Sequence, residues 1–462
     1  MRLWSISLRS VRIRAVSSSL TALAILIATA LYAAIMLMAD QTRQRYEGSI
    51  GGFGAVVGPK DASQLEIVLN TIFHVGHAPG LFRMQVYDDL RTGRIGNRRA
   101  KLRYAIPQAR GDSFSQFGFP VIGTTAAMFT AFARGEEKLA FAEGGAWQFA
   151  DAELSQLGQE LAARETALRQ EKSELPPVPQ LRPEWKHAVV GSRVARALSM
   201  GLGAEIVPVH GKPEDFGTHE HPEAACKVIG ILAPTNSPID NSIFVPLGVH
   251  FLIEGHGQGS WLPETPPGKS PNDVLEVKPG DLALSAIIVD PLDHFGANIL
   301  RRELSTRPDA QATWPADVVP KFLQQIGSIA DVLAVIAWLV LFVAAVSIAV
   351  AIYNTMNERR REIAIMRSLG ATRTQISAII VGEAALLSFL GAVLGVLACH
   401  LAALALRGVV EELTGVWLDW QAFAVRELYL VAGVTALGAV AGLLPAIKGS
   451  FTQVADNLAP NS

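Results

Sequence analysis

The chain has 462 residues, of which half are hydrophobic and only 18% are charged, whereas about 25% is usual in soluble domains. Its formal net charge of −2 at pH 7 excludes the basic footprint of a nucleic-acid-binding protein. Its two cysteines exclude a disulfide scaffold and a four-cysteine zinc site. The mean hydropathy of +0.29 therefore indicates membrane spans in a chain that is longer than one domain.

Four stretches lack Asp, Glu, Lys and Arg over the roughly 20 residues that a helix needs to cross a hydrocarbon core. They are Ala15–Ala39, Val332–Asn357, Ala384–Leu406 and Leu428–Ile447. A spanning helix satisfies its backbone hydrogen bonds internally, so we expect four transmembrane helices rather than a barrel. The first stretch is too long for the apolar core of a signal peptide and lacks a clean cleavage site, which indicates an uncleaved anchor.

The arginines that flank these stretches predict the orientation of the chain. The first 14 residues contain four Arg, and residues 358–373 contain five, so both segments are expected in the cytoplasm. The predicted segments are a cytoplasmic N-terminus (1–14), transmembrane helix 1 (15–39), an extracytoplasmic domain (40–325), helix 2 (326–355), a cytoplasmic connector (356–375), helix 3 (376–406), an external loop (407–427), helix 4 (428–447) and a cytoplasmic tail (448–462).

The predicted extracytoplasmic domain alternates short apolar runs with turn residues, which is typical of an α+β fold. Ala188–Val190, Lys227–Leu232, Ser242–Val245 and Ala283–Val289 are predicted strands. One long helical pattern covers Asp151–Leu175, and we expect the Pro-Pro-Val-Pro run that follows it to end the helix. Its leucine stripe indicates packing on its own subdomain, and the alternative is a protruding helix that meets a partner protein.

Histidines are concentrated in this domain, which holds nine of the ten. A His-x-His pair on an extended segment points both imidazoles to one side, and a thiolate nearby can complete a zinc site. The candidate metal ligands are His74, His77, His219, His221 and Cys226. The alternative is that these histidines are solvated or make structural hydrogen bonds. In predicted helix 3, Cys399 and His400 are adjacent and point apart, so we interpret them as packing residues.

Predicted helices 3 and 4 each carry two glycines at a spacing of four. Gly391 and Gly395 lie on one face of helix 3, and Gly438 and Gly442 lie on one face of helix 4. Such pairs let helix backbones approach closely. We expect them to pack helices within one bundle, and the alternative is a seam between two copies.

The connector contains the most specific motif of the chain. Its Arg-bearing helix continues predicted helix 2, Gly370 is placed to end that helix, and Thr372 with Gln375 has the spacing of a capping box that starts the next one. The alternative is an ordinary positive loop, in which the arginines would have no fixed spacing.

The connector contains the segments Asn357-Glu358-Arg359, Glu362-Ile363-Ala364, Met366-Arg367, Leu369-Gly370-Ala371 and Ile376. In these residues it resembles the connector of the MacB/FtsX-like permeases of ABC systems, which include the lipoprotein-releasing permeases LolC and LolE. A second similarity lies in the closing segment from Gly442 to Lys448. The resemblance implies an α-helical membrane protein with four transmembrane helices and a large α+β extracytoplasmic domain inserted between helices 1 and 2.

The resemblance also implies a mechanism called mechanotransmission, in which a separate cytoplasmic ATPase moves the external domain through the connector. It implies a homodimer in the bilayer of the bacterial inner membrane, with both termini cytoplasmic, the large domain periplasmic, and an adaptor or lipoprotein as a further partner. The residues expected to couple to the ATPase are Glu358, Arg359, Arg361, Glu362, Met366, Arg367, Leu369, Gly370 and Ala371.

No nucleotide chemistry is expected in the chain itself, so ATP and magnesium would be bound by the partner ATPase. Gly268-Lys269-Ser270 resembles the end of a P-loop, but position 263 is Pro where that motif needs Gly. Two alternatives stay open. One is an FtsX-like regulator of a periplasmic partner, and the other is a zinc-related permease that uses the histidines named above.

Overall fold

The computed structural model separates the chain into two compact units. The helical unit comprises Met1–Arg43 and Gln324–Ser462, and the α+β unit comprises Gln44–Leu323. The residues that the structure describes are 15–49, 53–75, 78–114, 118–134, 137–147, 151–180, 182–210, 220–235, 237–253, 261–266, 268, 270–358, 360–414 and 419–451.

The described α-helices follow the hydrophobic patterns of the sequence. They are α1 (Ala15–Ser49), α2 (Gln64–Phe73), α3 (Gln85–Arg91), α4 (Ala127–Thr130), α5 (Asp151–Arg169), α6 (Ser192–Ala197), α7 (Leu247–Leu252), α8 (His294–Thr306), α9 (Pro315–Glu358), α10 (Arg360–Ser368), α11 (Arg373–Thr414) and α12 (Val425–Ser450).

The described strands are short, with the exception of β5. They are β1 (Ala55–Pro59), β2 (Phe82–Arg83), β3 (Arg94–Ile95), β4 (Arg98–Arg99), β5 (Leu102–Phe114), β6 (Phe119–Thr124), β7 (Ala133–Arg134), β8 (Glu137–Lys138), β9 (Phe141–Gly144), β10 (His187–Val190), β11 (Glu205–Ile206), β12 (Val209–His210), β13 (Cys226–Leu232), β14 (Ile243–Pro246), β15 (Ala283–Leu284), β16 (Ala286–Pro291) and β17 (Ala310–Thr313).

Four helices among the described residues are long and apolar enough to cross a membrane. The segments that meet this criterion are Ser19–Gln44, Pro315–Asn354, Arg373–Val410 and Val425–Lys448. The helices run beyond the charge-free stretches at several ends; α11, for example, continues to Thr414. A charged residue marks where a helix leaves apolar surroundings but does not end it, because the backbone hydrogen bonds continue in water.

Glycines set the contacts of α11 within the helical unit. A Cβ atom added at Gly391 would lie 2.8 Å from the Cβ of Ile25, and one added at Gly395 would lie 2.8 Å from the carbonyl oxygen of Leu26, so both glycines face α1. A Cβ atom at Gly442 would lie 2.8 Å from that of Ala384 on α11. All of these contacts lie within one chain, and each glycine lets two helix backbones approach closely.

The main sheet of the α+β unit has the order β11-β13-β10-β14-β6-β5-β16-β1-β17, with β12 also on β5 and β9 also on β13. The pairs β10–β13 and β14–β6 are parallel, and the other pairs of this sheet are antiparallel. The strands bury continuous apolar runs; Val56, Ile106, Ile122, Val189 and Ile288 are fully buried. Helix α2 packs beside β1 and begins with a capping box between Ser63 and Glu66.

The predicted helix Asp151–Leu175 ends earlier than we expected, at Arg169. The backbone N–H of Lys172 donates to Ala167 and that of Glu171 donates to Leu168, while Glu171 is left-handed with φ 52°. This is a Schellman motif, so the helix is ended by its own carbonyl caps and not by the later prolines.

The predicted strand Ala283–Val289 is two strands in two different sheets. Ser285 separates them, because both its backbone N–H and its hydroxyl donate to the carbonyl oxygen of Gln108, at 3.1 and 2.9 Å. Before this point β15 pairs with β2, and after it β16 pairs with β5 and β1. A side-chain hydrogen bond of this kind leaves no mark on the hydrophobic pattern.

Candidate functional site

The connector forms a sharp turn between α10 and α11 that is fixed by backbone hydrogen bonds. The N–H of Ala371 donates to Met366 and the N–H of Gly370 donates to Arg367, both at 3.0 Å. Gly370 has φ 98°, a left-handed conformation that favours glycine. The pattern is a Schellman motif with Gly370 at its left-handed position, which the sequence predicted.

Helix α11 begins with the capping box that the sequence predicted. The backbone N–H of Thr372 donates to Oε1 of Gln375 at 2.9 Å, and the backbone N–H of Gln375 donates to Oγ1 of Thr372 at 3.2 Å. The two caps share the four-residue segment from Leu369 to Thr372, so no uncapped linker separates the two helices. The two helices therefore meet at a defined elbow.

The elbow buries one side of α10 and exposes the other. Ile363 and Ala364 are buried in the core of the helical unit, where Met366 and Ala371 pack against the same cluster. Leu369, at the tip of the elbow, is 82% exposed. A leucine held in this way at a rigid tip is available for contact with another surface.

The connector also contacts the end of α12. The guanidinium of Arg367 donates through Nη1 to the backbone carbonyl oxygen of Ser450 at 3.3 Å, and the guanidinium of Arg373 lies 4.6 Å from the ring centre of Phe451. Ser377 Oγ donates to the carbonyl oxygen of Ala446 at 3.4 Å. A displacement of the elbow would therefore act on α12 as well as on α9 and α11.

The end of α12 contacts α9 in the same region. Lys448 hydrogen bonds to the hydroxyl of Tyr353, and its Nζ lies 4.2 Å from the centre of the Tyr353 ring. The predicted coupling residues Glu358, Arg361 and Glu362 lie at the α9–α10 junction, but their side chains are outside the described part of the chain, as is Arg359 altogether. The site therefore rests on Met366, Arg367, Leu369, Gly370 and Ala371.

The candidate metal ligands are only partly described, since His77 and His219 lie outside the described residues. Within the described residues, no three His, Cys, Asp or Glu side chains are grouped to hold a metal ion. Cys226 begins β13, where its thiol contacts the carbonyl oxygen of Ala224 at 3.3 Å and burial raises its pKa to about 12.

The two candidate histidines that the structure describes, His74 and His221, make backbone hydrogen bonds within the α+β unit. His74 caps the end of α2 with φ 57°, and the capping N–H donates to the carbonyl oxygen of Leu69. Burial, followed by the nearby charge of Arg110, lowers the pKa of His74 well below its ordinary value of 6.5. His221 is buried, and its backbone N–H donates to Pro208.

Burial also changes the pKa of Arg110, on β5 beside the end of α2. Its guanidinium donates to the carbonyl oxygen of Asn70, and burial lowers its pKa to about 10. A cation at the carbonyl end of a helix is favourable, since that end carries partial negative charge. Arg110 therefore stabilises the last turn of α2.

One cluster toward the far end of α11 was not predicted from the sequence. His400 was interpreted as a packing residue and Glu427 closes the predicted external loop, yet the structure places the two side chains in contact at 3.1 Å. An ionisable residue in a predicted transmembrane helix is a signal for such a partner. The spacing of 27 residues between them gives no periodicity from which to find it.

Comparison with known proteins gives two matches. Residues 334–454 match the family model described as FtsX-like permease C-terminal. An uncharacterized ABC transporter permease, MJ1507 of Methanocaldococcus jannaschii, is 32% identical over 138 residues, which cover 27% of this chain and 33% of that protein. The matched part of the chain thus spans about a third of the length of this curated relative.

Proposed function

We propose that the chain is the membrane subunit of an ABC system, because residues 334–454 match the model of the FtsX-like permease C-terminal family. In this role a separate cytoplasmic ATPase hydrolyses ATP and moves the α+β unit by mechanotransmission, for the export or extraction of a substrate. The chain itself would carry no nucleotide site. ATP and magnesium would be bound by the ATPase.

The observation that carries this proposal is the capped elbow of the connector. A transmitted force needs a rigid contact, and the Schellman motif at Gly370 and the capping box at Thr372 fix the angle between α10 and α11. Leu369 at the tip is exposed and therefore supplies an apolar contact for the ATPase. Glu358, Arg359, Arg361 and Glu362 would add charged contacts on the side of α9.

The contacts of Arg367 and Arg373 with the end of α12 support the transmission step. They connect the elbow to a third long helix, so a push on α10 would be shared by α9, α11 and α12. A hydrogen bond to a charged group contributes about 1.5–3 kcal/mol when buried and less when it is partly exposed, as here. These contacts thus couple the end of α12 to the elbow.

The apolar face of α9 supports a place in the bilayer next to a second copy. Trp338, Phe342 and Val346 lie four residues apart and are about half exposed, whereas Leu341 and Ile348 on the other face are buried. We assign the exposed face to lipid and to a second copy of the chain. The proposed location is the bacterial inner membrane, with both termini cytoplasmic and the α+β unit periplasmic.

A single substitution tests the docking role of the elbow. We expect Leu369→Glu to reduce association with the cognate ABC ATPase at least tenfold, because a desolvated charge would replace an apolar contact. Each ABC ATPase of the source organism would be expressed together with the tagged chain and the purified complex quantified. Val425→Glu is the matched control, since Val425 is also exposed but lies beyond the far end of α11. Equal yields of ATPase with both variants would contradict the proposal.

A further inference from the structure

His400 and Glu427 form a buried contact between α11 and α12. Nε2 of His400 lies 3.1 Å from Oε2 and 3.2 Å from Oε1 of Glu427. On the other side of the ring, Nδ1 lies 2.6 Å from the carbonyl oxygen of Trp420. The His400 side chain is only 2% exposed and that of Glu427 is 11% exposed, so water does not separate these atoms.

The hydrogen-bond partners of His400 determine how many protons His400 and Glu427 carry together. The carbonyl of Trp420 can only accept, so Nδ1 must carry a hydrogen. A neutral imidazole has only one N–H, so Nε2 would then be an acceptor. It would face an ionised carboxylate, which can also only accept. Two acceptors at 3.1 Å repel each other. One additional proton is therefore held between Nε2 and the carboxylate, and it belongs to an imidazolium or to a carboxylic acid.

The cluster fastens the loop that joins α11 to α12. The ring of Phe423 is stacked on His400, with centroids 4.0 Å apart and an angle of 29°, so His400 contacts this loop through both Trp420 and Phe423. The loop is also bound to α1, because Gln41 donates to the carbonyl oxygen of Asp419 at 2.8 Å and accepts from its N–H at 2.9 Å. The loop is thus in contact with His400 of α11 and is hydrogen bonded to Gln41 of α1.

The charged side chains around this pair are hydrogen bonded to other partners, so they do not compete for its proton. Arg426 of α12 is paired with Asp40 of α1 at 2.8 Å, and the carboxylate of Asp419 accepts from the backbone N–H of Gln421 at 2.9 Å. Cys399, next to His400 on α11, is a buried free cysteine. Among the described side chains, Glu427 is thus the carboxylate in contact with the imidazole, while the side chains of residues 411–418 lie outside that part.

We propose that His400 and Glu427 are a binding site for a single proton, and that the bound proton fastens the loop between α11 and α12. Without this proton, the imidazole would have one N–H for two acceptors. Either Trp420 or Glu427 then loses its hydrogen bond, and the loop loosens. The inference stands on this contact alone and is independent of the proposed function.

The test compares the full-length wild-type chain with Glu427→Gln and His400→Phe in phosphatidylethanolamine–phosphatidylglycerol nanodiscs. Hydrogen exchange of the peptide that contains residues 419–427 is measured at several values between about pH 6 and about pH 9, corrected for the intrinsic exchange rate. In wild type, we expect protection to fall about tenfold across this range, as one hydrogen bond to a charged group is lost.

The Glu427→Gln variant separates a proton site from a merely structural contact. The side-chain amide of this variant can donate to Nε2 of a neutral imidazole, so every acceptor is paired without an additional proton. Protection should then be high and independent of pH, whereas His400→Phe should be poorly protected at every pH. A wild-type profile that is flat, or that Glu427→Gln shares, would overturn the proposal.

A spectroscopic measurement covers the case in which the variants do not fold. Wild-type chain labelled with ¹⁵N-histidine is examined by solid-state NMR, and its carboxylic acid C=O band by infrared spectroscopy, at neutral pH. We expect either a doubly protonated imidazole or a protonated carboxyl group, lost at high pH. The absence of both signals would contradict the proton count.

Discussion

The guanidinium of Arg367 on α10 donates to the backbone carbonyl oxygen of Ser450, the last residue of α12, at 3.3 Å. This hydrogen bond joins the middle of the connector to a helix end that is 83 residues further along the chain. It also satisfies a carbonyl group at the end of α12 that has no intrahelical partner, and it places a cation where the helix dipole favours one.

The first prediction concerns this contact. We expect Arg367→Gln to increase hydrogen exchange in the last turn of α12 several-fold, since the contribution of a partly exposed hydrogen bond is about 1 kcal/mol. Phe451→Ala should act in the same direction, because it removes the ring above which the guanidinium of Arg373 lies. Exchange of the peptide that ends at Phe451 is the measurement.

The control for this pair is Arg426→Gln. Arg426 is another arginine of the helical unit, but it forms a salt bridge with Asp40 and lies in the first turn of α12. Exchange at the other end of α12 should therefore be unchanged. If all three variants altered the last turn equally, its protection would not depend on the contact with the connector.

The second prediction concerns Gly370. Its φ of 98° is unfavourable for any residue with a Cβ atom, so Gly370→Ala should destabilise the elbow by about 1–2 kcal/mol. A Cβ atom there would meet no other atom within 4 Å, so the effect comes from the backbone alone. Gly408→Ala is the matched control. Gly408 also has open space around it, but it lies within α11, where alanine is favoured by up to about 1 kcal/mol.

Both variants would be compared by thermal unfolding in detergent, together with their association with the ATPase. Gly370→Ala should lower both the unfolding midpoint and the association, while Gly408→Ala should lower neither. If the two midpoints are the same, the left-handed turn does not hold the elbow.

A third prediction uses two glycines of α12. A Cβ atom at Gly438 would lie 2.5 Å from the Cβ of Ser388, whereas one at Gly433 would meet nothing within 4 Å. Gly438→Ala should cost about 1–3 kcal/mol, because α11 and α12 would be forced apart, and Gly433→Ala should be neutral or stabilising. Unfolding by sodium dodecyl sulfate measures both. A Gly438→Ala variant as stable as Gly433→Ala would exclude a close approach of these helices.

A fourth prediction concerns pH. The pKa of His74 is lowered in the fold, so His74 is neutral there but takes up a proton near 6.5 when unfolded. The stability that depends on the neutral ring is present above 6.5 and is lost as the pH falls from 6.5 toward the folded pKa. His74→Asn should weaken this acid dependence, since asparagine accepts the left-handed backbone without a titrating group.

The measurement is the unfolding midpoint of the α+β unit in the full chain, followed between about pH 5 and about pH 8. As the pH falls, the unfolding midpoint of wild type should decrease more than that of His74→Asn, so the difference between the two midpoints should narrow or change sign. Parallel profiles would mean that His74 has the same pKa in the folded and the unfolded chain.

Local signals made much of the helical unit predictable. The absence of charge located the helices that can span a membrane, and Gly370, Thr372 and Gln375 located both caps of the elbow, because each depends on residues within one turn. The resemblance of the connector to a permease family is confirmed by the match of residues 334–454.

Contacts between residues far apart in the chain could not be predicted from the sequence. The order of the main sheet depends on pairings such as that of β1 with β16, more than 200 residues apart, which no local pattern encodes. His400 and Glu427 were read separately for the same reason. The early end of α5 was missed because Glu171 takes the left-handed position that glycine usually occupies.

The central claim is that the tip of the elbow contacts an ATPase, and photo-crosslinking tests it most directly. A benzophenone amino acid replaces Leu369 in the full-length chain, and another chain carries it at Val425, which is exposed to a similar degree. On irradiation in the membrane, we predict an adduct with an ABC ATPase from position 369 and none from position 425. An adduct from position 425 alone, or from neither position while the ATPase remains bound, would contradict the claim.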